Sequence, residues 1–393
     1  MKTQPTKYTK DDILFVRKSK SDYKSFCMYG MLNILFHIYG IDGFKEERSL
    51  YKILSKLHAA FMHLMTLYLV SRNVLLCFSP TWDAGLAFGS IASSIFPLAL
   101  HYSLQSKRHL LKNVLRHYRR IGALQKYTFA KGKQIKISFF VAAILLISIT
   151  SATLNALSMS PKNQVTLSYT FYIQLEENAF AILLRLFTIQ MVFVQQYAFP
   201  CSVAVLCAVF YYECSELLFL FHKNLIRQRP SFNRSKILSH ANTHTSLFIL
   251  VHKVQDALSS PCFFLLCTQM MTMFCSIAIF VRNSTRDMSA PILCRSVLIL
   301  SMAPLSVIGV VLCASRINRY CQDIQIVITL VRDKLVCKGS YDAASVSYIN
   351  LMKQKLFPVI SACSALELTL NFVLGMFGSL LSYSLLILSL KNQ

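Results

Sequence analysis

The sequence predicts an all-α, polytopic membrane protein with seven transmembrane helices, a cytosolic N-terminus and an extracellular C-terminus. Three observations carry that prediction. Hydrophobic residues make up 54% of the 393-residue chain and charged residues only 15%, whereas a soluble domain is nearer a quarter charged. The apolar residues gather into blocks of about 20 or more, the length a helix needs to cross the hydrocarbon core. The blocks lack the strict alternation of a barrel strand, and hydrocarbon satisfies no backbone polar group, so a helix is the form open to them.

In chain order the blocks fall at 57–79, 84–104, 137–157, 179–210, 259–281, 291–314 and 370–390. An eighth stretch, 26–41, is shorter and carries Asn33 and His37, which suits an interfacial or re-entrant helix. The first 25 residues are charged and show no apolar run before small residues, so no cleaved secretory signal is expected there. Gly85 and Gly89 give the second block a GxxxG spacing, which favours close helix packing. The fourth block and its Tyr-rich end exceed 30 residues, roughly 45 Å of helix, and should project beyond the membrane. Four regions follow: a cytosolic segment 1–56, a six-helix bundle 57–314, cytosolic anchor helices 315–369, and a last helix 370–393.

Orientation comes from charge. Segments 1–56, 105–136, 211–258 and 315–360 hold 11, 10, 6 and 7 Lys+Arg, whereas 80–83, 158–178, 282–290 and 391–393 together hold 4. Positive residues stay on the cytoplasmic side, so the first set faces in. The formal net charge of +24 is then a topology signal beside anionic lipid, and no nucleic-acid partner is expected. This orientation is opposite to that of a G-protein-coupled receptor. No Asp-Arg-Tyr follows the third span and no Asn-Pro-x-x-Tyr closes the seventh.

Little in the chain suggests an enzyme, a metal or a cofactor. There is no phosphate loop, nucleophile elbow or carboxylate pair. The 13 cysteines form no CxxC pair and read as small packing residues in a reducing compartment. His240 and His244, four residues apart with no carboxylate or Cys nearby, read as a solvated cytosolic pair rather than metal ligands. Asn283 begins an Asn-Ser-Thr sequon in an expected outer loop and is a glycosylation candidate. Trp82, beside an outer turn, suits an aromatic-belt anchor.

An outward pocket would use the outer parts of the second to sixth spans, where Ser148, Thr150, Asn155, Tyr172, Arg185, Gln190, Thr272 and Arg295 supply polar or aromatic groups. Arginine inside a membrane is expensive and marks function or snorkelling to the surface. A sugar site would want several buried carboxylates or amides, and Glu367, near the inner surface, is the acidic residue at hand. Apolar or aromatic compounds suit such a pocket better.

The C-terminal quarter is the most informative. Val346, Ile349, Met352, Leu356, Val359, Cys363 and Leu366 recur at steps of three or four, predicting a cytosolic helix with one buried seam that Pro358 bends. That seam packs either within the subunit or between subunits. In the last block Ser379, Ser382, Leu386, Ser389 and Gln393 form a small or polar stripe. Either small residues let helices approach, or the stripe lines a pore whose leucines constrict it by dewetting. Pore lining is preferred, because the residues before it read as an assembly helix.

This tail resembles the insect gustatory receptor family, whose last span carries TYhhhhhQF (h, hydrophobic). Here Ser382-Tyr383 precede SLLIL and then Ser389-Leu390; Tyr383 and the spacing match, Ser382 replaces Thr, and Ser389 and Leu390 replace Gln and Phe. SALELTL at 364–370 is similar to the family's TAxGFFxL, with Ala365 matching, and LFILVHKVQDALSSPCFFL at 247–265 resembles its run into the fifth span. The resemblance implies a ligand-gated, non-selective cation channel in the plasma membrane of sensory neurons, a homotetramer or a heteromer with related receptors. Its pore would run along the seventh helices and its small-molecule tastant would be a bitter plant compound rather than a sugar. Leu386 and Leu390 would sit at the constriction, with Ser389 presenting a hydroxyl to cations. A subunit that needs a partner to conduct, or a transporter, is the alternative.

Overall fold

The computed structural model of the chain describes residues 49–78, 84–125, 131–158, 171, 178–228, 234–282, 290–338 and 343–391. Asn33, His37, Trp82, Tyr172, Asn283 and Gln393 lie outside them, as does most of segment 1–56. Each apolar block forms helix. The elements are α1 Ser49–Cys77, α2 Ala84–Leu124, α3 Lys131–Ser158, α4 Ala179–Phe193, α5 Phe199–Gln228, α6 Arg234–Arg282, α7 Ala290–Lys338, α8 Ala343–Gln354 and α9 Leu370–Lys391. Six stretches among the described residues are long and apolar enough to cross a membrane: Ile53–Leu75, Ile135–Leu157, Ala179–Arg227, Arg234–Val281, Arg295–Cys337 and Leu370–Ser389. The 84–104 block forms the first half of α2.

Several helices run well past their apolar blocks, and their extensions pack most tightly. Leu111, Val114 and Leu115 of α2, Phe210, Tyr211 and Leu218 of α5, Leu247, Leu250, Val251 and Val254 of α6, and Ile317 and Ile324 of α7 are all buried in one core. Their spacing of three, four and seven gives each helix a continuous apolar seam. Tyr118 Oη donates to Phe210 O at 2.7 Å, tying α2 to α5. Arg316 of α7 pairs with Glu216 of α5 at 3.0 Å and lies over the rings of Tyr212 and Tyr320. Towards the other end, α1, α3 and α4 leave Leu64, Leu67, Phe139, Phe140, Leu183 and Phe187 exposed, which suits contact with lipid tails. Gly89 belongs to the expected close-packing pair: a Cβ there would stand 3.0 Å from Cys275 Sγ, so α2 lies close against α6.

The seam expected over 346–366 holds as helix only to Gln354, with Ile349 and Met352 buried. Beyond it the chain is extended and then forms a two-stranded hairpin, β1 Ser361–Ala362 and β2 Leu366–Glu367, with Cys363 and Ser364 at positive φ in its turn. The backbone groups of this stretch find partners on neighbouring helices. Gln325 Nε2 donates to Lys355 O at 3.0 Å, and Asn318 Oδ1 accepts from Ile360 N at 2.9 Å. Gln255 holds Ser361 at both ends, accepting from its N–H at 3.0 Å and donating to its carbonyl at 2.9 Å and to its hydroxyl at 2.8 Å. Pro358 cannot donate within a helix, and these amides make the extended path the satisfied one.

His240 and His244 depart from the solvated reading. Both are buried, His244 completely, because Phe221 of α5 packs on both rings and Phe357 of the extended stretch packs on His244 at 5.0 Å between centroids.

Candidate functional site: a π turn in the fourth span and the face of the last helix

Between α4 and α5 the chain makes a π turn, Val194–Ala198, in which Phe199 N–H donates to Val194 O, five residues back. Its cause is the next residue. Pro200 offers no N–H, and its ring crowds the carbonyl of Gln196 in a regular helix, so a widened turn relieves the clash. The wider turn sends three consecutive polar side chains to different neighbours. Gln195, fully buried, donates through Nε2 to Thr66 Oγ1 of α1 at 2.8 Å. Gln196 accepts from Arg295 Nη2 of α7 at 2.7 Å. Tyr197 turns into an apolar cluster with Ile144, Ala198 and Cys201, against Ile147, Leu298 and Met302.

Polar atoms are left over in this neighbourhood. Gln195 Oε1, Tyr197 Oη, Ser202 Oγ and Ser148 Oγ are buried and have no hydrogen-bond partner among the described residues. A second apolar group, Leu69, Ala152, Ala156, Ile189, Val192 and Phe193, adjoins, and Leu298 packs against both. Buried donors and acceptors are normally paired, and an unpaired one costs about 1–3 kcal/mol. An apolar seam between helices with a few polar atoms held ready is the chemistry of a small-molecule site.

The last helix shows two faces. Val373, Met376 and Leu380 are buried against the rest of the chain, and Tyr383 continues that face by stacking on Phe274 of α6, 3.8 Å between centroids. Ser379, Ser382, Leu386 and Ser389 lie exposed beside Leu381 and Leu385. Ser379 and Ser389 donate to their own helix, to Gly375 O and Leu386 O, so their hydroxyls need no neighbour from another helix. The helix at Leu390 is described but its side chain is not.

No family model matches the chain, and neither does any curated protein. Solved structures do. The insect olfactory receptor OR5 from Machilis hrabei superimposes with a TM-score of 0.65 at 15% identity, covering 97% of this chain and 100% of the receptor. The same receptor in complex with eugenol gives the same values. The chain has the insect olfactory receptor fold.

Within that fold, the residues expected to form a pocket divide. Ser148 and Asn155 are buried on the inward side of α3, and Arg295 is engaged with Gln196. Arg185 and Gln190 are half-buried on α4, with Arg185 Nε lacking a partner among the described residues. Thr272 is buried on α6 and donates back to Thr268 O. Thr150 is exposed and bonds its own helix at Leu146 O and Ile147 O, so it faces away from this neighbourhood. The sequence reading passed over Thr66, Gln195, Gln196, Tyr197 and Ser202. The available signal was Pro200 three residues after a Gln-Gln-Tyr run inside an apolar block.

Proposed function

We propose that the chain is a subunit of a chemosensory, ligand-gated cation channel of the insect gustatory receptor type, in the plasma membrane of sensory neurons. Its ligand is a small apolar or aromatic plant compound, held in the seam around the π turn. Four subunits, identical or related, meet along α9, whose exposed stripe of Ser379, Ser382, Leu386 and Ser389 lines the conduction path. Leu386 and Leu390 form its dewetting neck. Ligand binding favours the state in which the four helices stand apart.

The observation that carries this reading is the likeness to an insect olfactory receptor over 97% of the chain. The Tyr383 motif of the last span and the outward Ser/Leu face of α9 support it, and the eugenol complex of that receptor suggests small phenols as first probes. The test is to express the chain in cells, record membrane current and apply a panel of phenols, terpenoids, alkaloids and sugars. Cation current evoked by an apolar or aromatic compound, with Leu386→Ala or Leu390→Ala raising the basal current, is expected. Saturable uptake without current, or currents that both substitutions leave unchanged, would overturn the channel or the neck respectively.

A further inference from the structure

From Ala84 to Leu175 the chain holds no Asp or Glu, and 105–136 alone carries ten Lys+Arg. Scattered charges would satisfy the topology rule equally well, but these are ordered. On the part of α2 beyond its apolar block, Arg108, Lys112, Arg116 and Arg120 recur at steps of four, and Arg108, Arg116 and Arg120 are exposed. Four-residue steps stack like charges on one helix face, where they repel. A second helix adds to the same face. Lys253 Nζ of α6 stands within hydrogen-bonding reach of His117 Nε2. Asp256, three residues after Lys253, makes no ion pair with it among the described residues. Burial first, then Lys253 and Arg120, hold the His117 imidazole below its ordinary range. Among the described residues no carboxylate is among the groups acting on it or on Lys253.

The cluster stands where the two helices leave the apolar region together. Ser103 Oγ and Ser260 Oγ meet at 2.7 Å at that level. Lys253 and His117 follow it by seven and fourteen residues, roughly 10 and 20 Å of helix. By the charge-derived orientation this is the inner side. The arginine stripe runs from the membrane edge, with Arg108 roughly 8 Å of helix beyond the Ser103–Ser260 contact, towards Lys253 and His117.

We propose that Arg108, Lys112, Arg116, His117 and Arg120 of α2, with Lys253 of α6 beside them, bind the multiply phosphorylated headgroup of an inner-leaflet phospholipid. Arginines grip phosphate oxygens through paired N–H groups. Lys253 adds a point charge, and His117 supplies a further donor once the dianion allows it to protonate. Basic clusters immediately cytoplasmic of a span attract such lipids; here the cluster is built from two helices.

The experiment uses the full chain purified in detergent, with thermal unfolding followed in the presence of a short-chain phosphatidylinositol bisphosphate, a short-chain phosphatidylserine, or free inositol trisphosphate. Stabilisation by the bisphosphate lipid that exceeds both other compounds is expected, fading with added salt. Replacing Arg116, Arg120 and Lys253 by Gln should weaken it at least tenfold, whereas Arg227→Gln leaves it intact. Lys253→Gln alone should leave the lipid-free protein no less stable, because it removes crowding among cations. Equal stabilisation by free inositol trisphosphate would overturn the lipid source. Stabilisation by none of the three, or affinity unchanged in the triple variant, would overturn the site.

Discussion

Gln255→Ala tests how the hairpin before the last helix is held. Gln255 accepts one hydrogen bond from Ser361 and donates two to it, and Ser361 is only 8% exposed. Truncation strands a backbone N–H and a backbone C=O in a site with little access to water. At about 1–3 kcal/mol for each stranded group the loss is about 3 kcal/mol, after allowing for partial rehydration. Beyond the bonds within the hairpin itself, its other polar ties to neighbouring helices are few: Cys363 N to Ser259 O at 3.2 Å and, just before it, Ile360 N to Asn318 Oδ1 at 2.9 Å. The loss should therefore appear as local opening rather than global unfolding. At 1.4 kcal/mol per factor of ten, amide exchange of Ser361, Cys363 and Leu368 should accelerate about a hundredfold. Hydrogen–deuterium exchange read by mass spectrometry on peptides spanning 355–369 measures it, with the α5 seam as an internal reference. Gln255→Glu, which keeps the acceptor for Ser361 N–H and loses the donor, should fall between. Exchange in 355–369 within threefold of the unaltered protein would refute the claim that this amide fastens the segment.

Three further outcomes follow from the packing. Tyr197→Phe removes a hydroxyl that has no partner among the described residues; thermal stability without ligand should change by less than ~1 kcal/mol while ligand-evoked current falls, and a larger destabilisation would mean the hydroxyl is structurally engaged. Tyr383→Ala should loosen α9 by about 0.5–1.5 kcal/mol beyond the area lost, seen as faster exchange in 376–391, whereas Tyr383→Phe keeps the stack on Phe274 and should loosen it less than Tyr383→Ala. His244, on the part of α6 before its apolar block, is held at about 4, below its ordinary 6.5, by burial and then by Lys355. The unfolded chain thus binds a proton there that the folded chain refuses, so stability is lost as pH falls from about 6.5 towards 4. From pH 7.5 to 5 the loss is about 2 kcal/mol, and His244→Leu should remove that share of the pH dependence in thermal unfolding.

The helices were legible because lipid enforces them: a block of apolar residues long enough to span has one backbone solution. Departures arise where a distant side chain decides. Nothing within 355–369 except Pro358 announces that its backbone is served by Gln255, Asn318 and Gln325, so periodicity carries the helix too far. His240 and His244 lie among polar residues in the sequence, and it takes Phe221 and Phe357, brought in from elsewhere, to bury them. In the candidate pocket, a list drawn from polar residues in spans finds Ser148, Asn155 and Arg295. It includes the outward Thr150 because it has no phase for α3. It passes over Tyr197 because an aromatic inside an apolar run looks like packing until its hydroxyl is seen without a partner among the described residues.

The extra residue in the Val194–Ala198 turn has a geometric sequel for the helix it interrupts. An α-helix advances about 100° per residue, so one added residue offsets Ala179–Phe193 from Phe199–Gln228 by that angle, and a helical wheel drawn across the junction puts every side chain above it on the wrong bearing. Removing one residue from the turn would restore the regular winding and keep Arg185 and Gln190 on their present bearings, whereas removing one from the regular helix just beyond it would swing them through more than a quarter of a revolution about the rod, while leaving the inner half of the same rod in place.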